Sequence, residues 1–181
     1  INKTNYKKFS LHGYPTHLNY GDHLIYISIS EFLKSMGTVE YCSSHFTEYN
    51  KNACDDLVVF TGGGNLGDLW PTEFAGKYSF IKANPEKPVI IFPQSCFFSS
   101  IDFFKECVDL INESRTILLI REQVSFDILK NEIDPEKLYL APDAAFLYPI
   151  FFPKLFNKGK TVSIKRNDQE SALSFAHHNF D

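Results

Sequence analysis

Four glycines within six positions mark the segment of this sequence best suited to chemistry. The segment follows a short apolar run and precedes a helix-like stretch, which predicts a turn from strand to helix. Glycines there permit positive φ and close approach of the backbone to a ligand, and exposed amides in such a turn can bind an anion. A tight turn alone needs one or two glycines, so we interpret the segment as a ligand-binding turn. Its residues are Gly62, Gly63, Gly64, Asn65, Leu66, Gly67 and Asp68.

The same glycines satisfy Gly-x-Gly-x-x-Gly, the fingerprint of dinucleotide-binding folds. That fingerprint normally follows the first strand of its unit, and an acidic residue about 20 positions later holds the ribose. Here two predicted strands come first, and the next strand ends in Pro93-Gln94-Ser95. The motif is therefore weak support for a nicotinamide or flavin cofactor, and we expect no cofactor.

Polar side chains also follow the other predicted strands. Each has a structural explanation: Asp22 can cap the first helix while Asn19 faces the site, and Glu122 suits a helix N-terminus and can pair with Arg121. Because ligands bind beyond the carboxyl ends of parallel strands, however, we expect these side chains to share one site. The candidates are Asn19, Asp22, Gln94, Ser95, Arg121, Glu122, Ser125, Asp143 and Arg166.

Three histidines, His12, His17 and His23, cluster near the end of the first predicted strand. One of them could act as an acid or base, since the ordinary pKa of histidine lies near neutrality. A surface or hydrogen-bonded structural histidine is the alternative for each. The pair His177-His178 has no third ligand placed beside it, so we predict no metal site.

The composition is that of an ordinary globular protein: 181 residues, 44% hydrophobic and 22% charged, with a net charge of -4. This charge offers no global basic field, so we expect no nucleic-acid partner. No apolar run approaches the roughly 20 residues that span a bilayer, so we expect no integral membrane segment. The cysteines lack Cys-x-x-Cys spacing, and we interpret them as reduced thiols of a cytoplasmic protein. They are Cys42, Cys54, Cys96 and Cys107.

The elements that must position these residues alternate between apolar runs and helix-like stretches, a pattern that predicts a parallel sheet. We predict an α/β fold, a Rossmann-like doubly wound parallel sheet over residues 1–150, with residues 151–181 forming a linker and the first elements of a second lobe. Strands are predicted at 8–11, 38–42, 57–60, 89–92, 116–120, 137–140 and 161–165. Helices are predicted at 22–36, after Ser99-Ser100, and at 122–131.

The candidate residues belong to an ordered series of short motifs along the chain. The motifs are Asn19-x-Gly21-Asp22, the segment from Gly62 to Trp70, Pro93-Gln94-Ser95, Arg121-Glu122-x-x-Ser125, Pro142-Asp143-Ala144-Ala145-Phe146 and Arg166-x-Asp168-x-Glu170. Over residues 12–170 this series resembles the polysaccharide pyruvyltransferase family. The resemblance implies the N-terminal lobe of a two-lobed GT-B-like fold. It also implies transfer of a pyruvyl group from phosphoenolpyruvate to two sugar hydroxyls, as a ketal on an exopolysaccharide or cell-surface polysaccharide.

Roles follow from this resemblance by residue type. The glycine turn and Arg121 are candidates for contacts with anions or sugars, and the proton-transfer candidates are Asp22, Glu122, Asp143 and one of His17 or His23. The implied partners are phosphoenolpyruvate and a saccharide or lipid-linked oligosaccharide acceptor, met in the cytoplasm or at the inner face of the membrane.

The sequence departs from the family in one respect. Family members generally continue into a second lobe whose Arg-x-His segment is associated with the phosphoenolpyruvate site, and no Arg-x-His occurs in these residues. We therefore expect either a fragment or a truncated relative that is inactive alone. A GT-B glycosyltransferase that uses a sugar nucleotide, or a non-catalytic carbohydrate-binding or assembly protein, remains the alternative.

Overall fold

The structure, a computed structural model, describes residues 6–41 and 57–148. All of them belong to the first of the two units into which the chain divides, Ile1–Pro149. The predicted strand 161–165 and the residues assigned to a second lobe, 151–181, lie outside the described residues. So do Cys42 and Cys54. The predicted domain division stays a prediction.

One sheet of seven strands organises the described residues. Every recorded strand pair is parallel. The order across the sheet is β2-β1-β3-β5-β6-β7, and β4 lies off this path and pairs with β5. The strands are β1 (Lys8–His12), β2 (Thr38–Tyr41), β3 (Leu57–Phe60), β4 (Gly63–Gly67), β5 (Val89–Phe97), β6 (Thr116–Ile120) and β7 (Leu138–Leu140).

The described residues contain four α-helices between these strands, and a 3-10 helix at Ala144–Leu147 follows the last strand. Helix α1 ends before Gly37, whose N–H bonds to the carbonyl of Leu33. Helix α3 begins after Ser100, whose hydroxyl accepts the N–H of Phe103, as the sequence predicted. The helices are α1 (Tyr20–Met36), α2 (Pro71–Ala83), α3 (Ile101–Glu113) and α4 (Gln123–Leu129).

Two separate cores cover the two faces of the sheet. Strand β3 alternates between them: Val58 and Phe60 pack in the core with α2, α3 and α4, whereas Leu57 and Val59 pack with α1. Period-two alternation with both faces apolar is what a central parallel strand requires. The 3-10 helix packs against α1 and contributes Ala144 to the second core. Helices on both faces of a parallel sheet confirm the predicted Rossmann-like, doubly wound α/β fold.

The glycine segment is a strand, so the predicted turn from strand to helix was wrong. Phe60 pairs with Ile91, and Gly63 pairs with Gln94 in the same register. Strands β3 and β4 are therefore one strand interrupted at Thr61-Gly62. The helix that the glycines were expected to begin starts later, at Pro71.

The prediction that β5 ends before Pro93 was also wrong, because the strand continues to Phe97. A proline has no N–H for the ladder, and strands tolerate it at irregularities. The pairing of β5 with β6 shifts register between Ile91 and Gln94, around Pro93. Among the described residues, the predicted strands 57–60 and 116–120 agree with the observed ones, and the remaining predicted elements differ by one or two residues at their ends.

Candidate functional site

The order of the strands places a switch point between β1 and β3. From β1 the chain crosses through α1 to β2 on one side, whereas later strands continue on the other side. Ligands of open α/β sheets bind at such a point, beyond the carboxyl ends of the strands. The two strand ends are tied together there, because the N–H of Thr61 donates to the carbonyl of His12 at 3.1 Å and its hydroxyl donates to the carbonyl of Gly13 at 3.1 Å.

The predicted glycine residues lie at this switch point, and two of them are required by their surroundings. A Cβ at Gly62 would lie 2.6 Å from the carbonyl oxygen of Pro93, too close for any side chain. Gly63 has a φ of 137°, which side-chain-bearing residues rarely adopt. A Cβ at Gly63 would lie 3.6 Å from Oδ1 of Asp22. The glycines thus bring the strand backbone against the Asp22 carboxylate.

Asn19, and not Asp22, caps α1. Its Oδ1 accepts the N–H of Gly21 at 2.9 Å, while Asp22 lies in the first turn of the helix. Both residues fit a helix start, since an amide oxygen suits the cap and a carboxylate suits the positive end of the helix dipole. With Asn19 engaged as the cap, Asp22 is the residue that faces the glycine strand.

Two histidines join Asp22 at the start of α1. Nε2 of His17 lies 3.5 Å from Oδ2 of Asp22, and Nδ1 of His17 accepts the N–H of Asn19 at 3.3 Å. A neutral His17 accepting at Nδ1 carries its proton on Nε2, toward the carboxylate. Nε2 of His23 donates to the carbonyl of His17 at 2.9 Å. The predicted proton-transfer candidates His17, His23 and Asp22 therefore come together.

Lys77 is a member of the site that the sequence analysis missed. It lies on α2 with only 1% of its surface exposed, and its Nζ donates to Oδ1 of Asn65 at 2.5 Å. Burial lowers the pKa of Lys77 to about 8, while the charges of Glu73 and Asp22 act in the opposite direction. The lysine therefore remains a buried cation at neutral pH.

A signal for Lys77 was present in the sequence. Lys77 lies three residues after Phe74 and four before Ile81, and both of these are buried. Helical spacing of this kind assigns the lysine to the apolar face of α2. A charged residue on such a face needs partners inside the protein, which are found here on β4 and α1.

Gln94 connects the glycine strand to the rest of the sheet. It is fully buried, and its Nε2 donates to the carbonyl of Thr61 at 2.8 Å. Its Oε1 accepts the N–H of Asn65 at 3.4 Å, and its backbone carbonyl accepts the N–H of Arg121 at 3.0 Å. Gln94 is thus placed to hold the interruption between β3 and β4 in shape.

A second group of predicted residues meets at the ends of β5, β6 and β7. Nη1 of Arg121 lies 2.8 Å from Oδ2 of Asp143, and Nε of Arg121 donates to the hydroxyl of Ser95 at 2.7 Å. Asp143 also accepts the N–H of Ala145 and so begins the 3-10 helix. The structural alternative, in which Arg121 pairs with Glu122, does not apply, because the Arg121 guanidinium pairs with Asp143.

Three further predicted residues hold local structure. The carboxylate of Glu122 accepts the N–H of Ser125 and caps α4, as expected for a helix N-terminus. The hydroxyl of Ser125 in turn accepts the N–H of Cys96 at 2.9 Å. Asp68 accepts the N–H groups of Ser99 and Ser100 and the hydroxyl of Ser99.

The pKa values of Asp68 and His12 are both lowered, but for different reasons. For Asp68, burial works to raise the pKa, but the hydrogen bonds from Ser99 and Ser100 prevail and the pKa lies below its ordinary value. His12 is buried beside Phe60 and Phe80, and this burial lowers the pKa of His12 to about 4. His12 is bonded to the hydroxyl of Ser10 at 2.8 Å. It is therefore a neutral, buried imidazole below the switch point.

Several expectations fall outside these groups. Arg166 and the pair His177-His178 lie outside the described residues. Within residues 6–41 and 57–148, no three His, Cys, Asp or Glu side chains are grouped as metal ligands would be. Cys96 and Cys107 are free thiols. In the same part of the chain, no helix has the length and hydrophobicity needed to cross a bilayer.

Taken together, the carboxyl edge offers two kinds of chemistry. At the start of α1, the Asp22 carboxylate and the His17 imidazole can accept or pass on a proton. At the ends of β5, β6 and β7, the Arg121 guanidinium is oriented by Ser95 and Asp143, and a guanidinium suits carboxylate and phosphate oxygens. Such an edge can bind a hydroxylated ligand and place a cation near an anionic one.

Known proteins are similar to this chain in sequence. The putative pyruvyl transferase EpsO of Bacillus subtilis is 25% identical over 170 residues, which are 91% of this chain and 52% of EpsO. Pyruvyl transferase 1 of Schizosaccharomyces pombe is 26% identical over 153 residues, which are 77% of this chain and 38% of that protein. The chain spans about half or less of the length of these relatives.

A solved structure shows the same fold. A functionally uncharacterised protein of Klebsiella pneumoniae superposes with a TM-score of 0.56 at 24% identity, over 80% of this chain and 52% of that one. The model of the family described as polysaccharide pyruvyl transferase matches residues 19–179. That span contains Asp22, His23, Asn65 and Lys77 as well as the Arg121 group, whereas His17 lies just before it. The chain therefore belongs to the polysaccharide pyruvyl transferase family.

Proposed function

We propose that this chain is the N-terminal lobe of a GT-B-like pyruvyltransferase that acts in the biosynthesis of an exopolysaccharide or cell-surface polysaccharide. Its donor is phosphoenolpyruvate, and its acceptor is a saccharide or a lipid-linked oligosaccharide, met in the cytoplasm or at the inner face of the membrane. The observation that carries the proposal is the family match over residues 19–179, which includes Asp22 and the Arg121 group.

The proposed reaction needs several kinds of group. The methylene carbon of the enol takes up a proton, two sugar hydroxyls add to the central carbon, and inorganic phosphate leaves. A base must accept hydroxyl protons, and cations must stabilise the anionic donor. Asp22 with His17 supplies the base, and Arg121 supplies a cation in this proposal. The complete donor site requires residues beyond the described ones, Arg166 among the candidates.

The test uses the intact gene product with phosphoenolpyruvate and a panel of saccharide acceptors. We expect phosphate release that depends on the acceptor, together with an acceptor product that carries a pyruvate ketal by mass spectrometry. Turnover of a sugar nucleotide instead of phosphoenolpyruvate would assign the chain to the alternative glycosyltransferase reaction. Saccharide binding with no turnover of either donor would point to a non-catalytic carbohydrate-binding protein.

A further inference from the structure

The buried ammonium of Lys77 determines how the side chain of Asn65 is oriented. An ammonium group only donates hydrogen bonds, so the atom that faces Lys77 must be the carboxamide oxygen of Asn65. The donor half of the carboxamide, Nδ2, is then directed away from Lys77. Among the described residues, Nδ2 of Asn65 has no hydrogen-bond partner, and the side chain is half-buried. A fixed donor is thus left for a ligand.

A carboxylate lies beside the same part of the strand. Oδ1 of Asp22 is placed 3.6 Å from a Cβ built at Gly63, two residues before Asn65. Its negative charge also acts on Lys77. Asn65 on β4 is therefore a hydrogen-bond donor that lies near a hydrogen-bond acceptor, Asp22 on α1. The buried ammonium of Lys77 bonds to the first and attracts the charge of the second.

The chemistry of this pair favours hydroxyl groups over an anion. The carboxylate of Asp22 repels phosphate or carboxylate groups, and the N–H of Asn65 is directed to Gln94 rather than left in an anion-binding turn. A sugar hydroxyl both donates and accepts, so it can satisfy a carboxylate and a carboxamide together. A hydroxyl-binding strand at this position differs from the anion-binding turn that the glycines were expected to form.

We infer that Lys77 is a positioning residue of the acceptor subsite, which holds Asn65 so that Asn65 donates and Asp22 accepts hydrogen bonds at the hydroxyls of the saccharide. The identity of the ligand rests on the proposed function. Lys77 itself is covered by the protein and acts through Asn65. The bond to Asn65 keeps the carboxamide from rotating by half a turn, which would present an oxygen to the ligand.

The test compares Lys77→Met with Lys82→Met in the intact protein. Lys82 lies on the same helix but is exposed above the ring of Tyr78. We expect Lys77→Met to raise the KM for the acceptor about tenfold, the effect of one lost hydrogen bond, with little change in the KM for phosphoenolpyruvate. Lys82→Met should leave both values unchanged. An unchanged acceptor KM in a folded Lys77→Met variant would overturn the inference.

A double-mutant cycle separates positioning from a general structural role. If Lys77 acts through Asn65, Lys77→Met should add little to the defect of Asn65→Ala. If the acceptor KM of the double variant instead rises by the product of the two single effects, that role is contradicted. Lys77→Gln retains a donor and should recover part of the acceptor affinity. This variant carries the test if Lys77→Met does not fold, and its failure to bind acceptor better than Asn65→Ala would then reject the inference.

Binding without turnover distinguishes this inference from the proposed reaction. Calorimetry with the methyl glycosides of glucose, galactose and mannose measures the subsite without a donor. Binding that depends on Lys77 and Asn65 in a protein that transfers no pyruvyl group would support the inference and reject the reaction. If the protein transfers a pyruvyl group but binds acceptor equally well with and without Lys77, the reaction is supported and the inference is rejected. No binding of any acceptor would overturn the subsite itself.

Discussion

At the scale of single residues, the Arg121 group links three strands through side-chain contacts. Arg121 and Asp143 are 24% and 22% exposed, so their ion pair is largely withdrawn from water. Removing one partner of such a pair leaves the other charge poorly compensated, whereas exposed pairs contribute little. The pair also fixes the guanidinium that we assign to the anionic donor.

We expect Arg121→Ala to lower the free energy of unfolding by about 1–2 kcal/mol and to weaken the use of phosphoenolpyruvate. Urea unfolding and the KM for the donor measure the two effects. The matched control is Lys130→Ala, which breaks the exposed pair between Lys130 and Asp127 and should change stability by less than about 0.5 kcal/mol. Equal losses in the two variants would contradict the importance given to the Arg121 pair.

Residue types alone selected most members of the candidate site, but not their hydrogen-bond and ion-pair partners. Asn19 and Asp22 both suit a helix start, so the sequence could not decide which of them caps α1. Arg121 precedes Glu122, yet it pairs with Asp143, because the ends of β6 and β7 meet in space. Lys77 was predictable from its spacing, although its bond to Asn65 depends on how α2 packs on β4.

At the scale of elements, the interrupted strand formed by β3 and β4 is the feature that the sequence did not predict. Glycine-rich segments have low strand propensity, and local patterns favoured a turn. Pairing with β5 is a contact between distant parts of the chain, which local propensity does not report. By contrast, β3, β6 and α1 follow simple periodic patterns, and their predicted bounds agree closely with the structure.

Gly62 should tolerate no side chain. We expect Gly62→Ala to cost about 1–3 kcal/mol in the free energy of unfolding, because its Cβ would press on the carbonyl of Pro93. The control is Gly64→Ala in the same strand, where φ is not in the left-handed region. It should change stability by less than about 1 kcal/mol. Thermal or urea unfolding measures both variants, and equal stability would show that β4 adapts more freely than the structure suggests.

At the scale of the whole molecule, the free energy of unfolding should depend on pH through the protonation of His12. Its pKa is about 4 in the folded state against an ordinary value of 6.5. The unfolded chain therefore binds the proton more readily between these values, so stability is complete above pH 6.5 and is lost as the pH falls toward 4. The shift corresponds to a loss on the order of 3 kcal/mol.

We expect His12→Phe to remove this part of the pH dependence, whatever its effect on stability at neutral pH. The measurement is the free energy of unfolding from pH 7.5 to 4, for the wild type and for the variant. Carboxylates that titrate in the same range contribute to both curves and cancel in the difference between them. If the two curves of the free energy of unfolding against pH are parallel, His12 is protonated as readily in the folded protein as in the unfolded chain, and the prediction is wrong.

The overall architecture was more predictable than the site. Alternating apolar runs and helices determine a parallel sheet with helices on both faces, and the strand order follows the usual rules for such folds. The meeting of Asp22, Gly63, Asn65 and Lys77 depends instead on three elements packing at one edge. Sequence patterns report each element separately, so they could propose candidate residues but could not predict how those residues are arranged.

The interruption at Thr61-Gly62 also changes which neighbours the strand has. Strand β3 lies between β1 and β5, but β1 ends opposite Phe60, so among the described residues β4 is paired on the β5 side alone. Within the described residues, the amides of β4 on the opposite side have no strand to bond to, and they should exchange with deuterium faster than those of β3. A saccharide lying on β4 would slow that exchange, which gives a measure of occupancy that needs no catalysis.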